Sequence, residues 1–397
     1  MTAVKRYLVE YADWSHREYL AIAKNLLLGR VHRGPDIEKL RQALAKMYAP
    51  AGVHLLNYGH HAIEIALEIF KEQRPGRLEV IGPAYICPSV PSSVARCGLQ
   101  WRSVDVGEDL NIDAAAMKAA IGSNTLAVIA PHMYGCPADI QSIESICKDA
   151  GIYLIDDAAQ AVGIKHGDRL LGTFGDVGVL SFAQSKMVVT GVRGSGGGLL
   201  VNDHTLERRI SERCATFASS SGRTEALAHF FWNYLAAPYV GALGYYIWRI
   251  LGFFSKPTGN VGVTQIGNLD AAVAVVQLAR IQSILAAKQN VLNLYNDVIQ
   301  IYPKMRLPQY RQDASLARVV VELAEDVNFE LLAQEVRRRG VQLRSAYPPV
   351  CSSGDAGCQK NYVNSVVGVP SGRKLNKEDV ERICAVLDSA INGARQR

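Results

Sequence analysis

Two polar stretches, each following an apolar, strand-like run, carry the residue types needed for amine chemistry. Asp157 comes directly after the run at 152–155, and Lys186 lies just beyond the run that ends near Ser181. Open α/β sheets bind their ligands at the carboxyl ends of strands. A lysine there can form a Schiff base with the aldehyde of pyridoxal phosphate (PLP), and an aspartate can pair with the pyridinium nitrogen so that the ring accepts electrons. A surface lysine and a helix-capping aspartate are the alternative interpretation.

Short apolar runs alternate with amphipathic stretches between residues 51 and 205. The runs predict strands at 78–82, 125–130, 152–156 and 177–182. Strands of this kind separated by helices predict a mainly parallel sheet covered on both faces, and therefore an α/β fold. An amphipathic helix at 36–48 is expected to precede them.

The pattern changes after about residue 260. Apolar residues recur every three to four positions over 269–302, which predicts a long helical stretch. The elements predicted after it are a strand at 317–323, a helix at 329–339, a strand at 341–344 and a closing helix at 376–391, typical of a smaller α+β domain. We therefore divide the chain into an N-terminal arm with a large domain, residues 1–255, and a small C-terminal domain, residues 256–397.

Composition and charge exclude several classes of protein. Lys and Arg total 43 against 37 Asp and Glu, and the basic residues are scattered, so nucleic-acid binding is not expected. The eight cysteines show no CxxC spacing, which predicts a reduced protein without a metal site. The N-terminus lacks the apolar stretch of a signal peptide, so export is not expected.

Residues 229–254 differ from the rest of the chain, with ten aromatic side chains and Arg249 as the only permanently charged one. Pro238, Gly241 and Gly244 interrupt the segment, so two short helices are a better interpretation than a simple membrane span. Three roles remain open: an oligomer interface or core packing, contact with a membrane surface or lipid-linked substrate, and a wall of the substrate pocket.

Four sequence blocks, in order within residues 29–395, resemble the DegT/DnrJ/EryC1/StrS family of PLP-dependent sugar aminotransferases. HMYGCPAD at 132–139 is similar to the family's VHLYGQPAD segment, and LIDDAAQAVG at 154–163 to its (I/V)EDAAQAHG segment. GTFGDVGVLSFAQSK at 172–186 resembles GxxGDxGxFSFxxxK, and VGVPSG at 367–372 resembles the LPL segment before the last helix. The resemblance implies the fold type I architecture of the aspartate aminotransferase superfamily, with PLP as cofactor.

By this resemblance, Lys186 is the Schiff-base lysine and the proton carrier of transamination, and Asp157 keeps the pyridine nitrogen protonated. Gln160 contacts the phenolic oxygen of the cofactor, and Ser181 donates its hydroxyl to the phosphate. Without the family, Ser181 would be a strand-end turn residue and Gln160 a residue of a helix N-terminus. The related dehydratases carry a histidine in place of the lysine, so Lys186 argues against their chemistry.

The chain departs from the family pattern around the phosphate and the cofactor ring. The family's Gly-Thr step at a helix start is Gly59-His60-His61 here, and its backbone amides can bind phosphate whatever the side chains. Read without the family, the two histidines would be cap or surface residues rather than metal ligands. The family's stacking aromatic falls at Cys87. Tyr85, two residues earlier, is one candidate substitute, and a different cover for the ring face is the alternative.

Two further segments differ from the family. TGVRGSGGG at 190–198 replaces the TGEGG segment, and residues 263–265 stand where the family has the Asn-Tyr-Arg block that reaches the partner subunit's site.

The expected activity is transfer of an amino group from an amino acid, L-glutamate or L-glutamine, to a keto sugar in nucleotide-sugar, polysaccharide or natural-product biosynthesis. The alternatives are a PLP enzyme that acts on a lipid-linked sugar or another ketone, and a non-catalytic binding or regulatory protein with this fold. The resemblance also implies a homodimer with sites at the subunit interface. A cytoplasmic location is expected, with membrane association if the segment 229–254 contacts lipid.

Overall fold

The structure, a computed structural model, describes residues 6–9, 13–190, 196–219, 262–310, 314–324, 327–350 and 365–394. The helices predicted within 229–254 and the loop residues 191–195 lie outside these ranges.

The first nine strands belong to the large domain. They are β1 (Gly52–Leu56), β2 (Glu79–Pro83), β3 (Gln100–Val104), β4 (Thr125–Pro131), β5 (Tyr153–Asp157), β6 (Lys165–His166), β7 (Arg169–Leu170), β8 (Val177–Ser181) and β9 (Gly197–Val201). Apart from the β6–β7 hairpin, they form one sheet in the order β1-β9-β8-β5-β4-β2-β3. β2, β3, β4, β5 and β8 are parallel, and β9 is antiparallel to both of its neighbours. The predicted α/β fold with a mainly parallel sheet is confirmed.

Helices cover both faces of this sheet. They are α1 (His16–Leu27), α2 (Asp36–Met47), α3 (Gly59–Gln73), α4 (Ser89–Arg96), α5 (Ala114–Ala120), α6 (Ile140–Ala150), α7 (His204–Ala215) and α8 (Asn268–Leu278). Core residues of α2, α5, α6 and α8 cluster on one face, and those of α3, α4 and α7 on the other. Alternate residues of β4 enter the two clusters, Val128 in the first and Ile129 in the second. Burial on both faces is why these strands read as unbroken apolar runs.

The small domain is an antiparallel sheet with helices. Its elements are α9 (Ile281–Ile299), β10 (Met305–Arg306), β11 (Val320–Leu323), α10 (Phe329–Arg338), β12 (Arg344–Ser345), β13 (Val366–Gly368) and α11 (Lys377–Ile391). The strand order is β10-β11-β13-β12, with every neighbouring pair antiparallel. One apolar cluster joins this sheet to α9, α10 and α11. Single 3₁₀ turns lie at Met133–Gly135 and Asn392–Ala394.

The long helical stretch predicted over 269–302 is two helices in the structure. α8 and α9 meet at an angle of 71° across the break at residues 279–280. Residues of α8 and the start of α9 belong to the core of the large domain, whereas Val291 and Tyr295 belong to that of the small domain. A bend lets each part bury its apolar face against a different sheet.

The residues of the two apolar cores are not separated at the predicted domain boundary between residues 255 and 256. Ile266, α8 and the first turn of α9 pack against the large sheet, although the sequence assigned them to the small domain. At the other end of the chain, Tyr7 packs in the small-domain core and its backbone pairs with Val341. As a division into folding units, the boundary stays a prediction.

Within the described ranges, no single helix is both long and apolar enough to cross a membrane. Only α8 and α9 taken together reach the required length and composition, across their bend.

Candidate active site

A cavity of about 300 Å³ lies where β4, β5 and β8 end, facing the small domain. We call its large-domain side the floor, formed by Asp157, Gln160, Ser181, Gln184 and Lys186. The side contributed by the small domain is the wall, formed by Arg318, Arg344 and Tyr347. The start of α3, with Tyr58, Gly59 and His60, and the residue Cys87 also line the cavity.

Lys186 and Asp157 are the oppositely charged pair of the floor. Desolvation in the cavity lowers the pKa of the Lys186 amine, although Cys87 and Asp157 act in the opposite direction. Burial raises the pKa of Asp157, and the nearby Lys186 and a hydrogen bond from the Ala159 amide at 3.0 Å oppose that shift. A lysine with a lowered pKa supplies the neutral amine that nucleophilic attack and proton abstraction require.

The loop that carries Lys186 is held at its far end. Val189 donates its amide to Gln277 Oε1 at 3.1 Å, and its carbonyl accepts from Trp14 Nε1 at 2.8 Å. Ser185, next to the lysine, has a left-handed backbone with φ of 60°, a conformation that non-glycine residues seldom adopt. Such backbone strain concentrates at functional sites, because the surrounding structure must enforce it.

The N-terminus of α3 opens into the cavity without a side-chain cap. Tyr58 is the N-cap residue and makes no capping hydrogen bond, and the first turn has no acidic residue. A Cβ at Gly59 would lie 3.0 Å from the Leu180 carbonyl oxygen and 3.1 Å from Ser181 Cβ, so a side chain there would require a neighbour to shift. The backbone amides of this first turn, with the Ser181 hydroxyl beside them, make a site suited to a phosphate group.

Two buried nitrogen donors also indicate a site for an anionic ligand, because they have no acceptor among the described residues. Gln184 Nε2 on the floor and Arg318 Nε on the wall are both without a hydrogen-bond partner. Leaving a buried donor unpaired costs about 1–3 kcal/mol, so these groups mark places where an acceptor-rich ligand belongs. An uncapped helix end, an acid and an amine on one floor, and unpaired donors around them fit a PLP molecule.

A fully buried hydrogen-bonded pair, His132 and Asp156, lies beneath the floor and fixes the ends of β4 and β5. His132 Nε2 is 2.7 Å from Asp156 Oδ1, and His132 Nδ1 accepts from the Ala138 amide at 3.1 Å, which assigns the ring proton to Nε2. Asp156 Oδ2 accepts from the amides of Gly172 at 2.6 Å and Phe174 at 3.0 Å. Because successive strand residues face opposite sides, Asp156 supports the structure while Asp157 faces the cavity.

The cavity contains most of the residues that the sequence predicted as site residues: Lys186, Asp157, Gln160, Ser181, Gly59, His60 and Cys87. Burial lowers the pKa of His60 to about 4, so its ring is neutral at pH 7. The individual roles assigned to these residues stay predictions.

The structure places the His61 and Tyr85 side chains outside the lining of this cavity. His61 points into the large domain, with Nδ1 2.6 Å from Asn57 Oδ1, so it can contribute only its backbone amide. The Tyr85 hydroxyl is 2.6 Å from that of Tyr134, and its ring packs in the small-domain core. Tyr347 lines the cavity instead, as does Tyr58, and Tyr347 also stacks on Tyr134.

The whole wall and Gln184 were missed by reasoning from the sequence. Gln184 lies within the segment 172–186 that resembles the family, but only Ser181 and Lys186 of that segment were given roles. Arg318 carries a weak signal, since a charged side chain interrupts the apolar run that leads into β11. Arg344 and Tyr347 carry no such signal, because nothing in their local pattern indicates which sheet edge they face.

Among the described residues, no group of three or more His, Cys, Asp or Glu side chains is arranged to hold a metal ion.

Comparison with known proteins gives a family and a fold. The sequence model of the DegT/DnrJ/EryC1/StrS aminotransferase family matches residues 15–388. GDP-perosamine synthase of Vibrio cholerae is 22% identical over 377 residues, which cover 91% of this chain and 92% of the relative.

Two solved structures have similar folds. Helicobacter pylori PseC, an aminotransferase involved in the biosynthesis of pseudoaminic acid, has a TM-score of 0.78 at 15% identity, covering 98% of this chain and 100% of that one. E. coli GDP-4-keto-6-deoxy-D-mannose-3-dehydratase, solved with bound hydrated PLP, has a TM-score of 0.73 at 17% identity, covering 97% and 100%. A dehydratase and an aminotransferase share this fold, so the fold alone does not select the reaction.

The family match extends over nearly the whole chain and includes the floor of the cavity and the residues of the wall. The floor carries a lysine beside a buried aspartate, as PLP chemistry requires. The chain therefore belongs to the DegT/DnrJ/EryC1/StrS aminotransferase family and is a PLP-dependent aminotransferase.

Proposed function

We propose that this chain moves an amino group from an amino acid to the keto group of a nucleotide-linked sugar, and that the cavity is its active site. The observation that carries the proposal is the presence of Lys186 and buried Asp157 on one floor. The sugar class of the acceptor is supported by the relative named GDP-perosamine synthase.

The residues that would hold the cofactor surround the cavity. The amides of Gly59 and His60 and the hydroxyl of Ser181 would bind the phosphate, at the uncapped end of α3. The Asp157 carboxylate would keep the ring nitrogen protonated, and Gln160 would donate to the phenolic oxygen.

When bound, PLP supplies an aldehyde that bonds to amines and a ring that withdraws electrons from the carbon bearing the amine. The chain contributes the proton carrier. Lys186 Nζ would remove the proton from the α-carbon of the amino donor, and its lowered pKa favours the neutral amine that can do so. In the second half of the reaction the same amine would return a proton to the sugar carbon that receives the nitrogen.

A homodimer and a cytoplasmic location remain part of the proposal. Three leucines of α1 and its C-cap, Leu20, Leu27 and Leu28, are exposed and offer an apolar contact for a second copy. Sedimentation velocity of the parent and of a Leu20→Glu, Leu27→Glu variant would test that contact, because the variant should sediment as a monomer. A variant that stays dimeric would show that the dimer interface lies elsewhere on the chain.

The experiment that tests the function is incubation with PLP, L-glutamate and a nucleotide-linked keto-hexose, with mass spectrometry of the products. We expect 2-oxoglutarate and an amino sugar in equal amounts, and neither from Lys186→Ala. Formation of 2-oxoglutarate with no acceptance of any nucleotide-linked keto sugar would overturn the substrate class. No 2-oxoglutarate under any condition would overturn the proposed chemistry itself.

A further inference from the structure

A second, smaller cavity of about 50 Å³ adjoins the loop that carries Lys186. We call it the second cavity and define it by its charged lining, which is Asp13, Lys186, Lys288, Arg318 and Arg373. Lys186 and Arg318 also line the active-site cavity, whereas Lys288 and Arg373 do not. Among the described residues, four cations and one acid therefore surround a space separate from the one that receives the substrates.

The acid of the second cavity is already bound to one of the four cations. Asp13 Oδ2 accepts from the backbone amide of Arg373 at 2.7 Å and from its Nε at 3.1 Å, and the Asp13 carbonyl accepts from the same guanidinium. Lys186 faces Asp157 in the active-site cavity. The other two cations of the second cavity therefore have no acid of their own among the described residues that line it.

Lys288 is the first of these two cations. It lies on α9, and its Nζ donates to the carbonyls of Ala317 at 3.2 Å and Ser371 at 2.9 Å. Two neutral acceptors take two of its three donors, and no described residue takes the third. Desolvation lowers the pKa of Lys288 to about 8, with Asp13 acting against that shift, so most of the population is charged at pH 7.

Arg318 is the second of these cations. It is 4% exposed, its Nε has no hydrogen-bond partner, and within the described ranges its guanidinium forms no ion pair. Its guanidinium carbon lies 5.9 Å from the centre of the Tyr134 ring, at the outer limit of a cation–π contact. Arginine does not lose its proton in a folded protein, and buried charges are normally paired. Arg318 and Lys288 therefore leave an excess of positive charge at the second cavity.

The size of the second cavity limits what can balance this charge. A space of roughly 10–15 Å³ holds one water molecule, so about 50 Å³ holds a small ion with a water or two. An amino acid or a sugar nucleotide requires the larger active-site cavity of about 300 Å³. The lining favours an anion over a neutral molecule, because its cations outnumber its acid.

We propose that the second cavity binds a small monovalent inorganic anion, such as chloride, between the Lys288 ammonium and the Arg318 guanidinium. The anion balances charge that a substrate cannot reach, because Lys288 does not line the active-site cavity. It also joins the two domains, since residues 185–187 of the lysine loop line the same cavity as Arg318 of the small domain. This inference goes beyond the proposed function and does not depend on it.

The test is titration of the PLP-loaded protein with sodium chloride, followed by the NMR line width of chloride and by thermal denaturation. Saturable broadening of the chloride signal is expected in the parent. Chloride at about 10-fold above its dissociation constant should raise the melting temperature by about 2 °C. Sodium gluconate at the same ionic strength is the control anion. It is too large for the second cavity, so it should neither raise the melting temperature nor displace chloride.

Two variants form a matched pair that locates the ion. Lys288 lines only the second cavity, and Arg344 lines only the active-site cavity. Lys288→Met should weaken chloride binding by at least about 10-fold, the loss of one charge-assisted contact, whereas Arg344→Met should leave the affinity within about 2-fold of the parent. Arg318→Met should weaken binding as much as Lys288→Met, and it decides the test if Lys288→Met does not fold.

Three outcomes would overturn the inference. One is the absence of saturable broadening in the parent, and another is an affinity unchanged in both Lys288→Met and Arg318→Met. The third is binding lost in Arg344→Met and kept in Lys288→Met, which would place the ion in the active-site cavity. None of these results bears on transamination. Failure to form 2-oxoglutarate would overturn the proposed function and leave the anion site in place.

Discussion

The floor and the wall of the cavity differ in how their polar groups are satisfied. On the floor, Asp157 faces Lys186 and accepts a backbone hydrogen bond, and the hydrogen-bonded pair of His132 and Asp156 holds the strand ends beneath it. On the wall, Arg318 Nε has no hydrogen-bond partner among the described residues. A floor whose charged groups face each other suits a cofactor that stays bound through every turnover, and a wall with an unpaired donor suits ligands that come and go.

This comparison predicts its largest effect at Lys186. Lys186→Ala should lower turnover by about 10⁴-fold, the upper end of what a positioned proton carrier contributes. The rate of 2-oxoglutarate formation from L-glutamate measures it. A rate within about 10-fold of the parent would remove Lys186 from the proton transfer and leave the floor without its central function.

The next effect separates two acids that lie at opposite edges of the sheet, one on β5 and one before β8. Asp157 lies at the site end of β5, whereas Asp176 precedes β8 at the far edge of the sheet and accepts from the Leu154 amide at 2.7 Å. Asp157→Asn should reduce turnover by about 100-fold, because the neutral amide no longer favours a protonated ring nitrogen. Asp176→Asn should leave turnover unchanged, and equal losses in both variants would show that the effect is general to buried acids.

Asp176→Asn should instead change how stability depends on pH. Burial raises the pKa of Asp176 from 3.8 to about 6. The folded state then binds this proton more tightly than the unfolded state, so ionisation lowers the free energy of unfolding as pH rises from about 4 to 6. The variant should gain up to about 3 kcal/mol relative to the parent across that window and no more above it. Urea denaturation at pH 4, 5, 6 and 7 measures the difference, and a constant difference would contradict it.

A smaller effect tests the end of α3. Gly59→Ala places a methyl group against the Leu180 carbonyl and Ser181, which should displace the helix end and weaken PLP affinity by about 10-fold. Gly76→Ala is the control, since its Cβ meets nothing within 4 Å. Fluorescence titration with PLP gives both affinities, and equal values would show that this helix end does not hold the phosphate.

The smallest effect concerns Tyr85, which the sequence suggested as the aromatic cover of the cofactor. Tyr85→Phe removes the hydrogen bond to the Tyr134 hydroxyl, so we expect a stability loss of about 1 kcal/mol and turnover within about 2-fold of the parent. Thermal denaturation and steady-state rates measure the two. A large loss of turnover with normal stability would show that Tyr85 does contribute to the active site.

The floor could be predicted from sequence because its residues follow strands whose carboxyl ends share one sheet edge. Asp157 and Ser181 each lie within a few residues of a buried apolar run. Both also lie in segments that resemble the family, 154–163 and 172–186. The wall could not be predicted, because Arg318 and Arg344 reach the cavity only through the packing of one sheet against another. The break in the helical stretch predicted over 269–302 could not be predicted for a related reason: tertiary contacts decide where a helix bends.

The central claim is that the floor is a working PLP site, and the absorbance spectrum of the purified protein tests it most directly. Spectra are taken from about 300 to 500 nm, before and after L-glutamate is added, with Lys186→Ala measured beside the parent. We expect a band at roughly 410–430 nm in the parent that shifts on addition of L-glutamate, and no such shift in the variant. A parent protein that shows no band even after PLP is supplied would contradict the claim.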